Sequence, residues 1–463
     1  MAERVSFGRW MRRRRKALDL TQEALASRIG YSVSALHKVE TDELRPSRQF
    51  AERLAEGLDI PPSERAAFIR FARSSSVPEA PPLPGIEPNA LESRATGTLP
   101  IPPSPLIDRD TDIANVVALL HRPDIRLLTL TGPGGVGKTR LAVAAADLAR
   151  DDFADGVRFV DLAPLSETGQ VVRAVKGALG LNDRAKDNPA ARLTETLRDL
   201  RLLLILDSFD AFLPEGPMIA AWLADHPLLK VMVTSRTPLH VRAEHEYTVA
   251  PLACPPSKSD AGEETAALDV ASVLQYPAVR LYVERAQAVE PAFTVTEDNA
   301  DAIAAICRHL DGLPLAIELA AARVRALPPS ALMAHLDASL HLLTDGPRDL
   351  PLRQQTLRNA INGSHRMLSE TQRQVFRRLA VFAGAFDLEA AACVVGMELE
   401  PTVLEGLAAL VDMSLLQVAP DDGHGPTRYV MLNTIREYAL ERLAESGELE
   451  VTRHRLEALM PAQ

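Results

Sequence analysis

At positions 132 to 139 the sequence reads Gly132-Pro133-Gly134-Gly135-Val136-Gly137-Lys138-Thr139. This octet has the spacing of a P-loop, in which glycines let backbone N–H groups turn inward around phosphates. An apolar run, Leu127 to Leu130, precedes the octet, and an Ala/Leu-rich stretch typical of a helix, Arg140 to Arg150, follows it. The dipole of that helix would point at the same anion. This context favours a P-loop over a merely glycine-rich turn.

The octet predicts ATP or ADP with Mg²⁺ as the ligand. Lys138 can reach the β- and γ-phosphates, and the Thr139 hydroxyl can ligate the metal. The residues predicted to bind the nucleotide here are Gly132, Gly134, Gly135, Val136, Gly137, Lys138, Thr139 and Arg140.

Two further strand-like runs end in polar residues. Leu202 to Leu206 is followed by Asp207, the Walker B pattern, and this carboxylate would hold the magnesium directly or through water. Val231 to Thr234 is followed by Ser235 and Arg236, which either lies near the γ-phosphate or is a surface cation.

Hydrolysis is predicted to be slow at most. Where fast ATPases often place a glutamate directly after the Walker B acid, this chain has Ser208, and Asp210 would replace it poorly. Asp207, Asp210 and Arg236 are therefore the catalytic candidates of a switch, and not of a metabolic enzyme or a motor.

Apolar runs of strand length alternate with helical stretches around the octet, which predicts an α/β domain with a parallel sheet. The predicted strands are Arg126 to Leu130, Val157 to Leu162, Leu202 to Leu206, Val231 to Thr234 and Tyr247 to Val249. Helices dominate from about residue 268. From about 350, helices surround two strand-like runs, Leu415 to Val418 and Tyr429 to Leu432, a pattern that fits a winged helix.

Charge is distributed unevenly along the chain. Residues 1–75 hold 15 Lys/Arg against 10 Asp/Glu, whereas the remainder holds 36 against 52. A basic head on an acidic body suggests a polyanionic partner for the head. Nine prolines between Val77 and Pro105 indicate a semi-extended linker between the two.

The head contains short amphipathic segments joined by a tight turn at Gly30-Tyr31, the helix-turn-helix pattern. Thr21 and Ser32 are predicted helix N-caps. The predicted core residues are Leu25, Ile29, Leu36, Val39, Leu54, Leu58 and Phe68. The segments Leu20 to Ala26 and Gly30 to Glu40 resemble the phage-repressor-like family of DNA-binding domains, often called XRE.

This resemblance implies an α-helical domain that binds double-stranded DNA. It places Gln22 on a phosphate, and Val33, Ser34 and Lys38 where the recognition helix touches base edges. Arg45 and the run Arg12 to Lys16 would supply backbone contacts, although the run alone also fits a solvated helix face. It also implies a structural ion pair between Arg15 and Glu40. The predicted DNA-binding residues are Gln22, Ser32, Val33, Ser34, Lys38 and Arg45.

The order of P-loop, Leu-Asp-Ser, Thr-Ser-Arg and Gly312-Leu313-Pro314-Leu315-Ala316 resembles the NB-ARC subgroup of STAND ATPases, from about residue 105 onward. The resemblance implies a P-loop domain, a helical ARC domain and a winged-helix domain around the nucleotide. It places Arg109 at the nucleotide, with Asp108 where the family has glycine. It also places Pro314 beside the adenine. The alternative for Pro314 is a proline that simply starts a helix. Asn433 stands where relatives carry an acid.

The predicted domains are a helix-turn-helix head at 1–75, a linker at 76–105, a P-loop domain at 106–255, a helical domain at 256–348 and a winged-helix domain with C-terminal helices at 349–463. Three scattered cysteines, Cys254, Cys307 and Cys393, favour neither a disulfide framework nor a zinc site. With no signal-type or membrane-length apolar stretch, the sequence predicts a cytoplasmic protein without a membrane partner.

Together these patterns favour a transcription regulator that binds promoter DNA and is controlled by ATP and ADP, with nucleotide-dependent homo-oligomerisation. Two alternatives remain open at this point. One is an oligomerising signalling or defence scaffold in which the head binds another protein. The other is a nucleic-acid-stimulated ATPase, which Ser208 disfavours.

Overall fold

The structure is a computed structural model. It describes residues 22–40, 44–58, 99–102, 104–165, 169–181, 195–198, 200–256, 269–336, 356–396, 402–419 and 425–459, with positions 7, 11, 15, 60, 65, 68, 69, 72, 193, 398 and 399. The chain divides into two compact units, Met1–Thr96 and Gly97–Gln463. We call them the head and the body and describe each by itself.

Three helices are described in the head: α1 (Gln22–Ile29), α2 (Val33–Glu40) and α3 (Arg48–Gly57). The ring of Tyr31, in the turn between α1 and α2, stacks on Phe50 of α3 with ring centroids 4.0 Å apart. All seven core residues predicted from the sequence are buried. The predictions for Thr21 and for Arg12, Arg13, Arg14 and Lys16 lie outside the described residues.

The body begins with a P-loop domain in which helices and strands alternate. Its helices are α4 (Asp110–His121), α5 (Lys138–Leu148), α6 (Gln170–Ala178) and α7 (Gly216–Asp225). Its strands are β1 (Leu127–Thr131), β2 (Val157–Asp161), β3 (Leu203–Asp207), β4 (Lys230–Thr234) and β5 (Glu244–Thr248). The strand positions agree with those predicted to within a few residues.

The five strands form one parallel sheet in the order β2-β3-β4-β1-β5. Strands β1 and β3 are buried along their whole length, as their apolar sequences require in a sheet covered on both faces. Strand β4 lies between them, so the carboxyl ends of β1, β4 and β3 meet at one edge of the sheet. This edge brings together the octet, Thr234 and Asp207.

A helical part follows, with α8 (Val270–Val273), α9 (Pro277–Val289), α10 (Glu297–His309), α11 (Pro314–Ala321) and α12 (Pro329–Leu336). A capping box formed by Thr296 and Asn299 starts α10. Buried residues of these helices share one hydrophobic core with the P-loop domain and the C-terminal part.

The C-terminal part contains α13 (Leu357–Met367), α14 (Glu370–Leu379), α15 (Leu388–Val395), α16 (Val403–Asp412), α17 (Asn433–Glu445) and α18 (Leu449–Glu457). Strands β6 (Phe386–Asp387), β7 (Gln417–Val418) and β8 (Arg428–Val430) form an antiparallel sheet in the order β6-β8-β7. The sequence predicted β7 and β8, whereas β6 was not predicted.

Some predictions concern residues outside the described ranges. The predicted linker is described only from residue 99, apart from position 103, and the predicted border between residues 348 and 349 falls in a segment that is not described. Among the described residues, no helix combines the length and apolarity needed to span a membrane.

Candidate nucleotide site and DNA-binding head

The octet connects the end of β1 to the start of α5. Gly137, the residue before α5, has a φ of +101°, and Gly135 has a φ of +85°, conformations that glycine adopts without steric cost. Nζ of Lys138 donates to the carbonyl oxygens of Gly132 at 2.7 Å and Pro133 at 3.1 Å. The ammonium therefore folds back over the loop, where a phosphate group would be cradled.

Asp207 forms the centre of a hydroxyl network at the carboxyl edge of the sheet. Its Oδ1 accepts hydrogen bonds from Oγ1 of Thr139 and Oγ1 of Thr234, both at 2.6 Å. Thr234 Oγ1 in turn accepts from the backbone N–H of Ser208 at 2.8 Å. The sequence predicts roles for Thr139 and Asp207 but none for Thr234. The signal for it was a hydroxyl residue at the end of the strand that lies between the P-loop strand and the Walker B strand.

The donor set at this edge fits magnesium. A hydroxyl and a carboxylate are hard oxygen ligands of the kind that Mg²⁺ takes alongside phosphate oxygens and water. Thr139 Oγ1 and Asp207 Oδ1 lie 2.6 Å apart, so one ion could contact both oxygens. Together with Lys138 and the glycine turns, these two residues are suited to Mg²⁺ and a nucleotide phosphate.

Asp210 and Arg236 lie together beside this network. Oδ1 of Asp210 accepts from the backbone N–H of Arg236 at 2.7 Å and lies 4.0 Å from its Nε. The Arg236 side chain is only 11% exposed, so it is not a surface cation. Its Nη1 donates to Ser364 Oγ of α13 at 3.0 Å, and its carbonyl accepts from Ser414 Oγ at 2.9 Å. Arg236 thus joins the end of β4 to the C-terminal part.

Arg109 is buried beneath the octet. Its guanidinium donates to Asp112 at 2.7 Å, to the carbonyl of Val136 at 3.3 Å and to that of Ala250 at 2.7 Å. Asp108 has a φ of +54°, a left-handed conformation that aspartate tolerates better than most residues other than glycine. Arg109 thus contacts the P-loop backbone at Val136, and its predicted contact with the nucleotide stays a prediction.

The Arg140 side chain contacts the segment that leads into the body. Its Nη2 donates to the carbonyls of Ser104 at 2.6 Å and Pro105 at 2.9 Å, and its Nη1 lies 3.8 Å from Glu318. Burial lowers the pKa of Arg140, and the nearby Glu318 carboxylate opposes this shift. A nucleotide contact of Arg140 stays a prediction.

The Gly-Leu-Pro segment connects α10 to α11 and touches the octet. Pro314 is the first residue of α11, as the helix-start alternative requires, and a role beside the adenine stays a prediction. The backbone N–H of Leu315 donates to the carbonyl of Gly135 at 3.2 Å. A Cβ on Gly135 would lie 2.8 Å from the Cβ of Leu315, so this glycine also allows close packing.

In the head, α2 presents a polar face next to a buried one. Ser32 caps α2 by accepting from the backbone N–H of Ala35 at 3.2 Å, which confirms the predicted N-cap. Val33, Ser34 and Lys38 are exposed, as is Arg45 beyond the helix. Exposure is a requirement for the predicted DNA contacts, and the contacts themselves stay a prediction.

The predicted Arg15–Glu40 ion pair is present and nearly buried, with 2.6 Å between Nε and Oε1. Gln22 at the start of α1 also donates its amide to Glu40, at 2.6 Å. Glu40 therefore holds Gln22 in place at the N-terminus of α1, the position from which a phosphate contact was predicted.

A helix-turn-helix head, a P-loop with its Walker B acid and a C-terminal winged helix define a multidomain P-loop ATPase. Comparison with known families supports each part. The helix-turn-helix domain family matches residues 6–68, the AAA domain family matches residues 124–239, and the winged helix-turn-helix domain family matches residues 368–444.

The chain belongs to the family of the uncharacterized protein Rv0894 of Mycobacterium tuberculosis. The two are 34% identical over 364 residues, which cover 77% of this chain and 86% of that protein. A candidate HTH-type transcriptional regulator of the same species, Rv0890c, is 42% identical over 71% of this chain and 35% of its own length. The regulatory protein AfsR of Streptomyces griseus is 30% identical over 75% of this chain and 33% of its own length. The chain thus spans about a third of these two regulators.

Two solved archaeal structures are similar at greater distance. A STAND protein with a tetratricopeptide-repeat sensor from Pyrococcus horikoshii is 14% identical, with a TM-score of 0.31, over 79% of this chain and 47% of that one. A Walker-type ATPase of Pyrococcus abyssi is 15% identical, with a TM-score of 0.46, over 73% of this chain and 96% of that one.

Proposed function

We propose that this protein is a DNA-binding transcription regulator whose body is an ATP/ADP switch of the NB-ARC or STAND type. The observation that carries the proposal is the assembly of Lys138, Thr139 and Asp207 at one sheet edge in a chain that also has a helix-turn-helix head. The names of the relatives Rv0890c and AfsR support a regulatory role. The charge of the bound Mg²⁺ and nucleotide would differ between the ATP-bound and ADP-bound forms, and this difference would distinguish the two states of the switch.

The surroundings of Asp207 favour a slow switch. Ser208 follows it, with its backbone N–H bonded to Thr234 and its Oγ 3.2 Å from Asp207 Oδ2. The carboxylate of Asp210 accepts the backbone N–H of Arg236. Each group is engaged in holding the site together, so we expect turnover below about 1 s⁻¹, the lower end of the usual enzyme range.

The head, and not the winged helix, is the proposed DNA reader. Helix α2 exposes Lys38 and short side chains suited to a groove, whereas α16 of the winged helix contains no lysine or arginine and exposes Leu404 and Glu405. Near its C-terminal end, Asp412 lies 3.2 Å from His240 of the P-loop domain. The winged helix is therefore assigned to packing within the body.

A nucleotide shifts such a switch only if it binds one state more tightly than the other. We propose that ADP favours a closed body and ATP an open one that forms homo-oligomers, so that paired heads reach neighbouring half-sites. Measuring the mass of the full chain in ADP and in ATP tests this part, and an ATP-dependent increase is expected.

The central experiment compares the full chain with Lys138→Ala and with Arg150→Ala, a control at an exposed arginine of the same domain that pairs with Asp147. Bound nucleotide is measured after purification, and bound genomic DNA is selected with and without ATP. Lys138→Ala is expected to lose nucleotide and the ATP effect on DNA binding, whereas Arg150→Ala should keep both. Unchanged nucleotide retention in Lys138→Ala would refute the site.

The two other functions predict different outcomes. If no DNA is selected, or if selection survives Ser34→Ala combined with Lys38→Ala, the head does not read DNA through α2 and the scaffold function gains support. If DNA accelerates turnover strongly above 1 s⁻¹, the protein is a nucleic-acid-stimulated ATPase, since that rate belongs to the range of about 1–10³ s⁻¹ for ordinary enzymes.

A further inference from the structure

Helix α17 of the C-terminal part begins without a side-chain cap of its own, because Leu432 occupies its N-cap position. The first N–H groups of a helix have no partner within the helix and need acceptors from elsewhere. Here the acceptor is Asp311, which follows α10 of the helical part. Its Oδ1 accepts from the N–H of Asn433 at 2.8 Å, and its Oδ2 accepts from the N–H and Oγ1 of Thr434 at 2.8 and 2.7 Å.

The carboxylate that caps α17 comes from another part of the body, since Asp311 follows α10 of the helical part. A carboxylate at a helix N-terminus also interacts favourably with the positive end of the helix dipole.

The contact is partly buried, since Thr434 is buried and Asp311 and Asn433 are half-buried. Burial raises the pKa of Asp311, and the hydrogen bonds from Thr434 and Asn433 oppose that shift. If α17 moved away, Asp311 would lose three donors at once, and a charge that is partly shielded from water is unfavourable without such partners. A second contact joins the same two helices, since His309 Nε2 of α10 lies 2.9 Å from Glu437 Oε1 of α17.

The segment that carries Asp311 also touches the octet. Four residues after Asp311, the N–H of Leu315 donates to the carbonyl of Gly135 at 3.2 Å. Between them, the carbonyl of Gly312 accepts from the N–H of Leu252, which follows the last strand of the sheet, at 2.9 Å. Residues 311–315 therefore contact the P-loop at one end and the winged-helix part at the other.

We propose that the carboxylate of Asp311 and the N-terminus of α17 form a latch that holds the winged-helix part in the nucleotide-retaining arrangement. This proposal rests on the proposed ATP/ADP switch. Residues 311–315 are the segment that connects the P-loop to the winged-helix part. A shift of the octet is transmitted through Leu315 to Asp311, and loss of the cap frees α17 to move with the helices packed on it.

Asp311→Asn tests the latch with little backbone disturbance. Asp311 has a φ of +55°, and asparagine tolerates this conformation well. In asparagine an NH₂ group replaces one carboxylate oxygen and cannot accept from a backbone N–H group. At most one terminal atom of the side chain can then still accept. The matched control is Asp387→Asn, because Asp387 caps α15 of its own winged-helix part by accepting from the N–H of Ala390 at 2.8 Å.

Two measurements on the full chain are compared: the release rate of a fluorescent ADP analogue, and hydrogen–deuterium exchange of the Asn433 and Thr434 amides. Asp311→Asn is expected to release ADP about tenfold faster, the size of one lost charge-assisted bond, and to lose protection at both amides. Asp387→Asn should match the wild-type chain in both readouts. If Asp311→Asn behaves as Asp387→Asn does, the latch is refuted.

A second variant removes a donor from the other side of the contact. Thr434→Val loses the Oγ1 donor without altering residues 311–315, and a smaller acceleration of release, about threefold, is expected. If the wild-type chain retains no ADP, the proposed switch fails by itself. In that case hydrogen–deuterium exchange of the Asn433 and Thr434 amides is the remaining test of the contact. Equal protection in the wild-type chain and Asp311→Asn would refute it.

Discussion

Thr234 donates a hydrogen bond from Oγ1 to Oδ1 of Asp207 at 2.6 Å, while the same hydroxyl accepts from the backbone N–H of Ser208. This arrangement directs the hydroxyl hydrogen toward Asp207, because the carboxylate can only accept and the backbone N–H of Ser208 can only donate. Thr234 is also buried, so water does not compete for either bond. The threonine thus sets the orientation of the carboxylate that faces Thr139.

Thr234→Val tests this relationship. Valine keeps the shape but removes the donor to Asp207 and the hydroxyl oxygen that accepts from the N–H of Ser208. Loss of an outer-shell partner of a metal ligand typically weakens metal binding by about 10- to 100-fold, and we expect Mg²⁺-dependent ADP affinity to fall by about tenfold. Thr234→Ser keeps the hydroxyl and serves as the control. Equal Mg²⁺ dependence in Thr234→Val and the wild-type chain would contradict the assignment.

Gly312 is expected to tolerate no side chain. Its φ is +66°, and a Cβ there would lie 2.0 Å from the carbonyl oxygen of Leu252, a backbone atom that cannot rotate away. Gly447 has a similar φ of +75° but no atom within 4 Å of its Cβ position. Comparing alanine at the two positions therefore separates steric crowding from the strain of a left-handed backbone.

Gly447→Ala is expected to lower the free energy of unfolding by about 1 kcal/mol through backbone strain alone. Gly312→Ala adds overpacking against the Leu252 backbone, and a loss of about 2–4 kcal/mol is expected. Urea unfolding of the full chain, followed by fluorescence, measures both. Equal losses at the two positions would show that the contact with Leu252 imposes no steric limit.

The sequence predicted the parts of the site that depend on local pattern. The octet, Asp207 and the buried strands β1 and β3 follow from glycine spacing and continuous apolar runs, and they lie where predicted. Strand β5 was placed three residues late, since it is an edge strand of sequence Glu-His-Glu-Tyr-Thr and has no apolar run to mark its start.

Contacts between distant segments left no such pattern. The bond from Arg236 to Ser364 spans 128 positions, and the bond from Asp311 to Asn433 spans 122. Neither residue pair has a spacing that periodicity or a motif would reveal, because each depends on how whole domains pack. Helix α17 has no capping side chain in its own sequence, and the cap that Asp311 supplies from another part of the body is visible only in the fold.

DNA binding by the head is expected to depend on salt through Lys38 and Arg45, which are both exposed. If Arg45 contacts a phosphate, Arg45→Ala weakens binding to all sequences and reduces the slope of log affinity against log salt by about 1. Arg53→Ala is a control on α3, where Arg53 lies 3.5 Å from Glu56. A slope that is unchanged in Arg45→Ala but reduced in Arg53→Ala would indicate that α3 carries the DNA-binding surface instead.

Glu448 is expected to make stability depend on pH in acid. Its Oε1 accepts from Arg377 Nη2 at 2.8 Å, and its Oε2 accepts from Arg378 Nε at 3.1 Å. Hydrogen bonds from Arg377 and then Arg378 lower the pKa of Glu448 to about 2, from an ordinary value of 4.5, against the opposing effect of burial. Because the folded-state pKa is the lower one, the stabilisation is complete above pH 4.5 and is lost as the pH falls from 4.5 toward 2.

Glu448→Gln should therefore lower the free energy of unfolding near pH 7 by about 1 kcal/mol, a value limited by the partial solvation of the pair. The difference from the wild-type chain should shrink as the pH falls below 4.5, because protonation neutralises Glu448 in the wild-type chain as well. Glu450→Gln, at an exposed carboxylate of α18, controls for the loss of a surface charge. Unfolding curves measured from pH 7 to 3 provide the test, and a constant difference across that range would contradict the role of the two arginines.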